Sequence, residues 1–270
     1  EEEHLRLFRA ALADLAGTPA DQAQAAQWVA RLQRLLAAAG GMDGTTPRAA
    51  APAEEPAPPY RIPHTLRRDG SLPRVWDFVA PPLDQVPEHL DYMLALRLSE
   101  INVAEGLAIV LFETEAMPWG FSLDISRHLW DEMRHSLFGE AAIEATYGDR
   151  GALAMRDYEG VYAMEAPPLE QYAVLGLEVE GKNMKYPPGK RQEWEFARDI
   201  AQHPLATTFQ DFDWADEVLH VNIARRQLDA WFPGGLQQIG EFARQGKEHR
   251  TAVKQRQEPT AIIHPPELPS

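Results

Sequence analysis

Along most of this chain apolar positions recur every three or four residues, the period of amphipathic helices. Residues 1–40 carry Leu5, Phe8, Leu12 and Leu15, then Trp28, Leu32, Leu35 and Leu36, on either side of Gly17-Thr18-Pro19. That pattern predicts two helices with a break between them. Proline and alanine take over across 46–59, which reads as an extended linker. Residues 61–87 hold many prolines with Val75, Trp76, Phe78 and Val79 and read as an irregular arm lying on the main body. Four long helices are then expected, over about 87–115, 122–147, 169–185 and 206–232. They are punctuated by Met117-Pro118-Trp119-Gly120, an irregular connection over 148–168, Pro187-Pro188-Gly189 and Pro233-Gly234-Gly235. A shorter helix over 192–202 precedes the last, and another over 236–245 lies in the tail. The expected organisation is an N-terminal helical segment (1–45), a linker and arm (46–87), an all-α four-helix body (88–232) and a C-terminal tail (233–270).

Composition narrows the chemistry. A 270-residue chain that is 44% hydrophobic can bury a sizeable core. The absence of cysteine excludes disulfides, zinc ribbons, iron–sulfur clusters and cysteine nucleophiles. No apolar run is long enough for a membrane span and no secretory signal is apparent, so a cytoplasmic location is expected. A net charge of −15 disfavours a broad nucleic-acid surface. No phosphate-binding loop, dinucleotide fingerprint or nucleophile elbow occurs.

The chemistry-bearing pattern is a repeated string, Asp131-Glu132-Met133-Arg134-His135 and Asp216-Glu217-Val218-Leu219-His220. In a helix, residues three apart share a face, so each Glu and His can grip one ion together. A bare E-x-x-H is weak evidence, since roughly one is expected by chance in a chain this long, and Glu1 and His4 also fit it. Requiring the preceding Asp cuts that expectation to roughly a twentieth, and needing it twice makes coincidence a poor explanation. Both strings sit mid-helix, and Gly139 and Ala224 follow each His by four residues, small enough for helices to approach closely there. The chain reads as a degenerate repeat of two helical hairpins. His128 and Asp213 form a further equivalent pair, each four residues before a motif Glu, in the role of a supporting, substrate-facing or surface group.

One further Glu is needed from each remaining long helix. In an antiparallel hairpin centred near Trp119, positions 132 and 135 mirror to about 105, which selects Glu105, with Glu100 as the alternative. On the third helix Glu178 and Glu180 lie about 200° apart, so only one can face the site. Glu180 shares its side with Ala173, Gly176, Leu177 and Met184, whereas Glu178 shares its side with Lys182 and Lys185; Glu180 is the choice.

The order Glu105, Asp131-Glu132-x-x-His135, Glu180, Asp216-Glu217-x-x-His220 resembles the ferritin-like di-iron carboxylate superfamily, most nearly uncharacterised bacterial ferritin-like proteins with two D-E-x-x-H motifs. The resemblance covers about 88–232. It implies a ferritin-like four-helix bundle, with the N-terminal helices and irregular arms as additions. It implies two iron ions, or a manganese/iron or manganese pair, held by Glu105, Glu132 and His135 and by Glu180, Glu217 and His220, with Glu132 and Glu217 bridging. By the same analogy Asp131 would orient His220 and Asp216 would orient His135. The implied function is a dioxygen-activating oxidase or oxygenase acting on a small organic substrate, with an electron donor and a second copy of the chain as candidate partners. The alternatives are a non-catalytic metal-binding or assembly protein and, more weakly, a tRNA-modifying hydroxylase.

Overall fold

The computed structural model describes residues 2–50, 62–66, 68–114 and 117–260, and the chain divides into two compact units, Glu1–Arg61 and Ile62–Ser270. Most of the linker expected over 46–59, the Glu115 end of the first long helix and the proline-rich end of the tail lie outside the described residues, as does the side chain of Leu15. The first unit holds α1 (Glu2–Leu15) and α2 (Pro19–Ala38). The break between them is chemical: the Thr18 hydroxyl accepts the Asp21 backbone N–H, the Asp21 carboxylate accepts that of Thr18, and Pro19 opens the helix. The apolar stripes of both helices are solvent-facing; Phe8, Leu12, Trp28 and Leu32 are all exposed.

Among its described residues, the second unit is an irregular arm over 62–85 followed mainly by helices, with a short parallel ladder between β1 (Arg74–Val75) and β2 (Met155–Arg156) and an isolated bridge from Phe78 to Thr260. The first expected long helix is two, α3 (Val86–Leu98) and α4 (Ile101–Glu113), broken at Ser99-Glu100. Ser99 causes the break: its hydroxyl donates back to the Ala95 carbonyl at 2.7 Å and accepts the Arg156 N–H at 2.9 Å, competing with the helical ladder. Next comes α5 (Trp119–Tyr147), a 29-residue helix packed along both α3 and α4. The connection read as irregular contains β2 and α6 (Tyr158–Glu165), two turns that are too short to register as a period.

The third long helix is α7 (Pro168–Ala173), a π-helical stretch (Val174–Val179) and α8 (Glu180–Asn183). After Pro187-Pro188, α9 (Lys190–Glu195) runs into a second π-helical stretch, Phe196–Ile200. The fourth is α10 (Pro204–Asp229), its start capped by His203 Nδ1 on the Ala206 N–H at 3.1 Å. The tail expectation is corrected here. Residues Gly235–Lys254 form α11, twice the expected length, burying Ile239, Ala243, Gly246 and Val253 against α6, α7 and the π-helical stretch. Its last turn also accepts the Trp76 indole N–H at the Lys254 carbonyl, 2.8 Å, fastening the arm.

The buried face of α5 locates the site. It reads Phe121, Ile125, then His128, Asp131, Glu132, His135 and Ser136, then Gly139, Ala142 and Ile143. Phe121 and Ile125 pack with Leu107, Tyr172, Ile223, Leu228 and Ile239, whereas Ala142 and Ile143 pack with Leu94, Leu98, Leu153 and Met155. Two apolar clusters thus flank a polar layer. Buried polar groups are costly unless partnered, so the contents of that layer need a physical reason.

Candidate metal centre

Small residues let the helices come close around this layer. A Cβ on Gly139 would lie 2.3 Å from the Leu98 nitrogen, so glycine is required where α5 meets α3, and Ser136 Oγ donates to the Leu98 carbonyl at 3.0 Å beside it. In the other half, a Cβ on Gly176 would lie 2.2 Å from that of Ala224, bringing the π-helical stretch against α10. Gly139 and Ala224 are the small residues marked by the repeat.

Two groups of ligand-type atoms assemble here, each with its atoms within 4.8 Å of one another: His128, Glu132, Glu180 and His220, and Glu100, His135 and Asp213. In the first, His220 Nδ1 lies 3.3 Å from Glu132 Oε1 and 3.7 Å from Glu180 Oε1, and His128 Nε2 lies 2.7 Å from Glu180 Oε1. The His128 and His220 rings stack with centroids 3.8 Å apart. In the second, His135 Nδ1 lies 3.4 Å from Glu100 Oε2 and 3.7 Å from Asp213 Oδ1. Glu132 joins them: Oε1 faces His220 and His128, and Oε2 is 3.8 Å from His135 Nδ1.

Both motif histidines turn Nδ1 inward and Nε2 outward to a carboxylate of the opposite motif. His220 Nε2 reaches Asp131 at 3.3 Å and His135 Nε2 reaches Asp216 at 3.2 Å, the two pairings expected by analogy. A ring held this way presents its other nitrogen as a ligand. The two Asp are themselves neutralised from outside. Arg127 Nε donates to Asp131 at 2.8 Å, and Arg134 bridges Asp131 and Asp216, so Arg134 is a paired structural group.

The structure corrects the ligand set in three places. Glu105 is not in the layer; its carboxylate pairs with Arg68 at 2.5 Å and is partly exposed. Glu100 takes the place. With α4 ending at Glu113 and α5 starting at Trp119, the hairpin centre is 116, about which 132 mirrors to 100. Five residues on, Glu105 is turned roughly 140° away. Glu217 is buried and lines the same cavity but falls in neither group; its Oε1 accepts from Lys190 Nζ at 3.1 Å. His128 and Asp213, which had no settled role, are fully buried members of the groups. Glu180 is buried as expected, and Glu178 pairs with Lys182 at 2.5 Å.

Two cations were not foreseen. Lys190, buried at the start of α9, donates to both oxygens of Asp213 at 2.9 and 2.7 Å, and Arg97 Nη1 donates to Asp213 at 2.7 Å and reaches Glu100 at 2.8 Å. A single Lys after Pro187-Pro188-Gly189 carries no local sign of burial. Arg97, one turn before Glu100, would have followed only from choosing Glu100.

No family model, curated protein or solved structure matches this chain. The site therefore has to be read from its own chemistry.

Three observations bear on whether a metal fits. First, Glu100 Oε2, His135 Nδ1, Glu180 Oε2, Glu217 Oε2 and His220 Nδ1 are all buried without a hydrogen-bond partner among the described residues. Such atoms are scarce in folded proteins, and here they share one layer. Second, the carboxylates Glu100, Glu132, Glu180, Asp213, Glu217 and nearby Glu193 exceed the cations Arg97 and Lys190 by four charges with the histidines neutral, the charge of two divalent ions. Third, protons are drawn in where cations are missing. Burial alone would lower the histidines, but the surrounding carboxylates outweigh it, raising His128 and His135 and lifting His220 to about 10. Burial also lifts Glu217, helped by Glu180, Asp213 and Glu132 and opposed by Lys190, to about 8. The group His128, Glu132, Glu180 and His220 can hold a metal ion, and an imidazole and carboxylate donor set suits iron, manganese, cobalt or zinc.

A cavity of about 340 Å³ opens onto this layer on its carboxylate side, lined by Glu100, Glu132, Glu180 and Glu217 but by none of the three histidines. Among the described residues, no helix is long and apolar enough to cross a membrane.

Proposed function

We propose that the protein is a ferritin-like dimetal carboxylate oxidase or oxygenase, in which two iron ions, or a manganese-containing pair, act on dioxygen and a small organic substrate. The observation that carries this reading is the convergence of five unpartnered buried donor atoms in one layer beside a cavity, with His128 Nε2 facing the same carboxylates. One position would use Glu100, Glu132, His135 and Asp213, the other Glu132, Glu180, His128 and His220, with Glu132 common to both. When bound, redox-active ions would supply the electrons that dioxygen requires.

The chain's own residues do the rest. Asp131 and Asp216 fix the tautomer and ring plane of His220 and His135. Lys190 holds Asp213 and Glu217 in place, leaving Glu217 Oε2 to carry a proton at the cavity wall. The two apolar clusters keep bulk water from the layer along α5. A cavity reaching the carboxylates favours substrate turnover over a sealed metal store, because a storage site needs no substrate-sized space.

The test is anaerobic loading with ferrous iron, metal analysis, and oxygen consumption on exposure to air. About two ions per chain with oxygen uptake supports the reading. Metal binding without oxygen uptake would leave a metal-binding protein, and no retained transition metal would refute the site.

A further inference from the structure

We infer that the cavity beside the metal layer binds a small organic carboxylate, its anionic head held by Arg156 and Arg250 and its body extending toward Glu100, Glu132, Glu180 and Glu217. This names the substrate class of the proposed oxidase and rests on that reading only for what happens at the metal end.

The cavity has two chemically distinct walls. One is the carboxylate face of the metal layer. The other carries Arg156, Arg250 and Glu159, with Tyr92 and Tyr162 beside them. At this second wall Glu159 Oε2 pairs with Arg156 at 2.5 Å and Glu159 Oε1 pairs with Arg250. Behind it, Lys254 pairs with the buried Asp77 at 2.7 Å. Two guanidiniums face one carboxylate while Lys254 and Asp77 offset each other, so this end keeps one positive charge in excess. A monoanion would neutralise it; a phosphate monoester would overshoot.

The donors needed for that anion are present. Arg156 spends Nη2 on Glu159, but its Nε is buried without a partner among the described residues, and Nη1 comes no nearer to Asp77 than 3.7 Å. Nη2 carries a second hydrogen beyond the one given to Glu159, and with Nη1 it offers the end-on two-pronged geometry that a carboxylate accepts. Arg156 is also held rigidly. Its backbone is fixed in the β1–β2 ladder, its carbonyl accepts from Asn102 Nδ2 at 2.6 Å, and its guanidinium lies 5.2 Å from the Tyr158 ring centroid. The same ring has Arg250 at 5.2 Å and Lys254 at 5.0 Å, and the Tyr158 hydroxyl takes an N–H from Arg250 at 2.8 Å. Groups fixed before binding lose little entropy when a ligand arrives.

A purely structural triad, tying α6 to α11 through Glu159, is the competing account. The two differ in sign. If the triad only braces the fold, removing Glu159 or Arg156 weakens the protein and does nothing specific to anions. If it is an anion seat, removing Glu159 adds an unspent positive charge and strengthens anion binding, whereas removing Arg156 abolishes it.

The experiment uses benzoate and its neutral isostere benzamide as probes, titrated calorimetrically into the full chain, with metal content measured on the same samples. Benzoate is expected to bind roughly tenfold or more tightly than benzamide. Arg156→Gln should bring the ratio to near one at unchanged metal content, and Glu159→Gln should raise benzoate affinity several-fold. Equal binding of the two probes, binding of neither, or an Arg156→Gln ratio like that of the unaltered chain would overturn the proposal; the last result means that benzoate sits on the metals instead. Should Arg156→Gln fail to fold, the probe ratio in the unaltered chain and the sign of the Glu159→Gln change decide. If the unaltered chain retains no metal, the oxidase reading fails, while discrimination between the probes is still measured and stands or falls by itself.

Discussion

Replacing Gly139 with alanine tests whether close helix contact sets the geometry of the polar layer. Gly139 lies mid-helix in α5, where an unconstrained Gly→Ala change stabilises by about 1 kcal/mol. Here the new methyl would sit 2.3 Å from the Leu98 nitrogen and 2.8 Å from the Arg97 carbonyl carbon. Both atoms are backbone, so no side-chain rotation relieves the contact, and α3 must retreat by roughly 1 Å or α5 must bend, at a cost of about 1–3 kcal/mol or more. The two effects oppose, and the clash wins. Net of the helix gain, up to about 2 kcal/mol is lost, and for a unit of this size each kcal/mol shifts the melting temperature by about 2–4 °C, so a fall of up to roughly 8 °C is expected. Gly240→Ala is the matched control: it too lies within a helix, α11, but nothing stands within 4 Å of its would-be Cβ, so its melting temperature should hold or rise. The assay is calorimetric or circular-dichroism melting of the three proteins without added metal. Because Arg97 and Glu100 follow the displaced backbone, metal content after loading should also fall from about two toward one in Gly139→Ala. A Gly139→Ala protein melting at or above the unaltered chain would refute the reasoning.

Three further outcomes follow from the site. Glu132→Gln, which removes the carboxylate common to both groups, should lose both ions, whereas His220→Ala should lose one; metal analysis after loading distinguishes them, and equal stoichiometry in the two variants counts against a shared Glu132. Asp213→Ala leaves Arg97 and Lys190 buried without their shared carboxylate and should cost about 3–5 kcal/mol in urea unfolding, part of it recovered by adding Lys190→Met; strictly additive effects would contradict the pairing. Burial raises the Glu159 carboxyl, but Arg156 and Arg250 outweigh it and hold it at about 2 against an ordinary 4.5. Its contribution is therefore complete above pH 4.5 and is lost as pH falls from there toward 2, on the order of 3 kcal/mol; Glu159→Gln should flatten that part of the stability profile, and an unchanged profile would show that the ion pairs contribute nothing.

Features built from short-range interactions are written plainly in this sequence, and those built from long-range ones are not. The helices were legible because long amphipathic periods and Pro-Gly punctuation are local, and the repeated motif was legible because its spacing is helical. Glu100 was displaced to Glu105 by a hairpin centre set three residues too late, a loop detail that proline and glycine mark only coarsely. Glu180 was found although it follows a π-helical stretch, whose extra residue per turn a helical projection does not carry. Lys190 and Arg97 were invisible because their burial depends on Asp213, contributed by a helix far along the chain. The α11 helix was underestimated because its apolar residues are few and small, and its order comes from packing on α6 and α7.

The crossed hydrogen bonds of the motifs have a consequence for how the molecule is built. Asp131 serves His220 and Asp216 serves His135, and equivalent residues of the two motifs are 85 positions apart. Exchange the two motifs and these two hydrogen bonds map onto each other, the rule obeyed by an isologous interface between identical subunits. The layer is in that sense a two-fold dimer interface folded into a single chain. Each hairpin carries a complete motif yet cannot orient its own histidine, so the two motifs can change only in concert, and a substitution of Asp131 or His135 has its counterpart in Asp216 or His220.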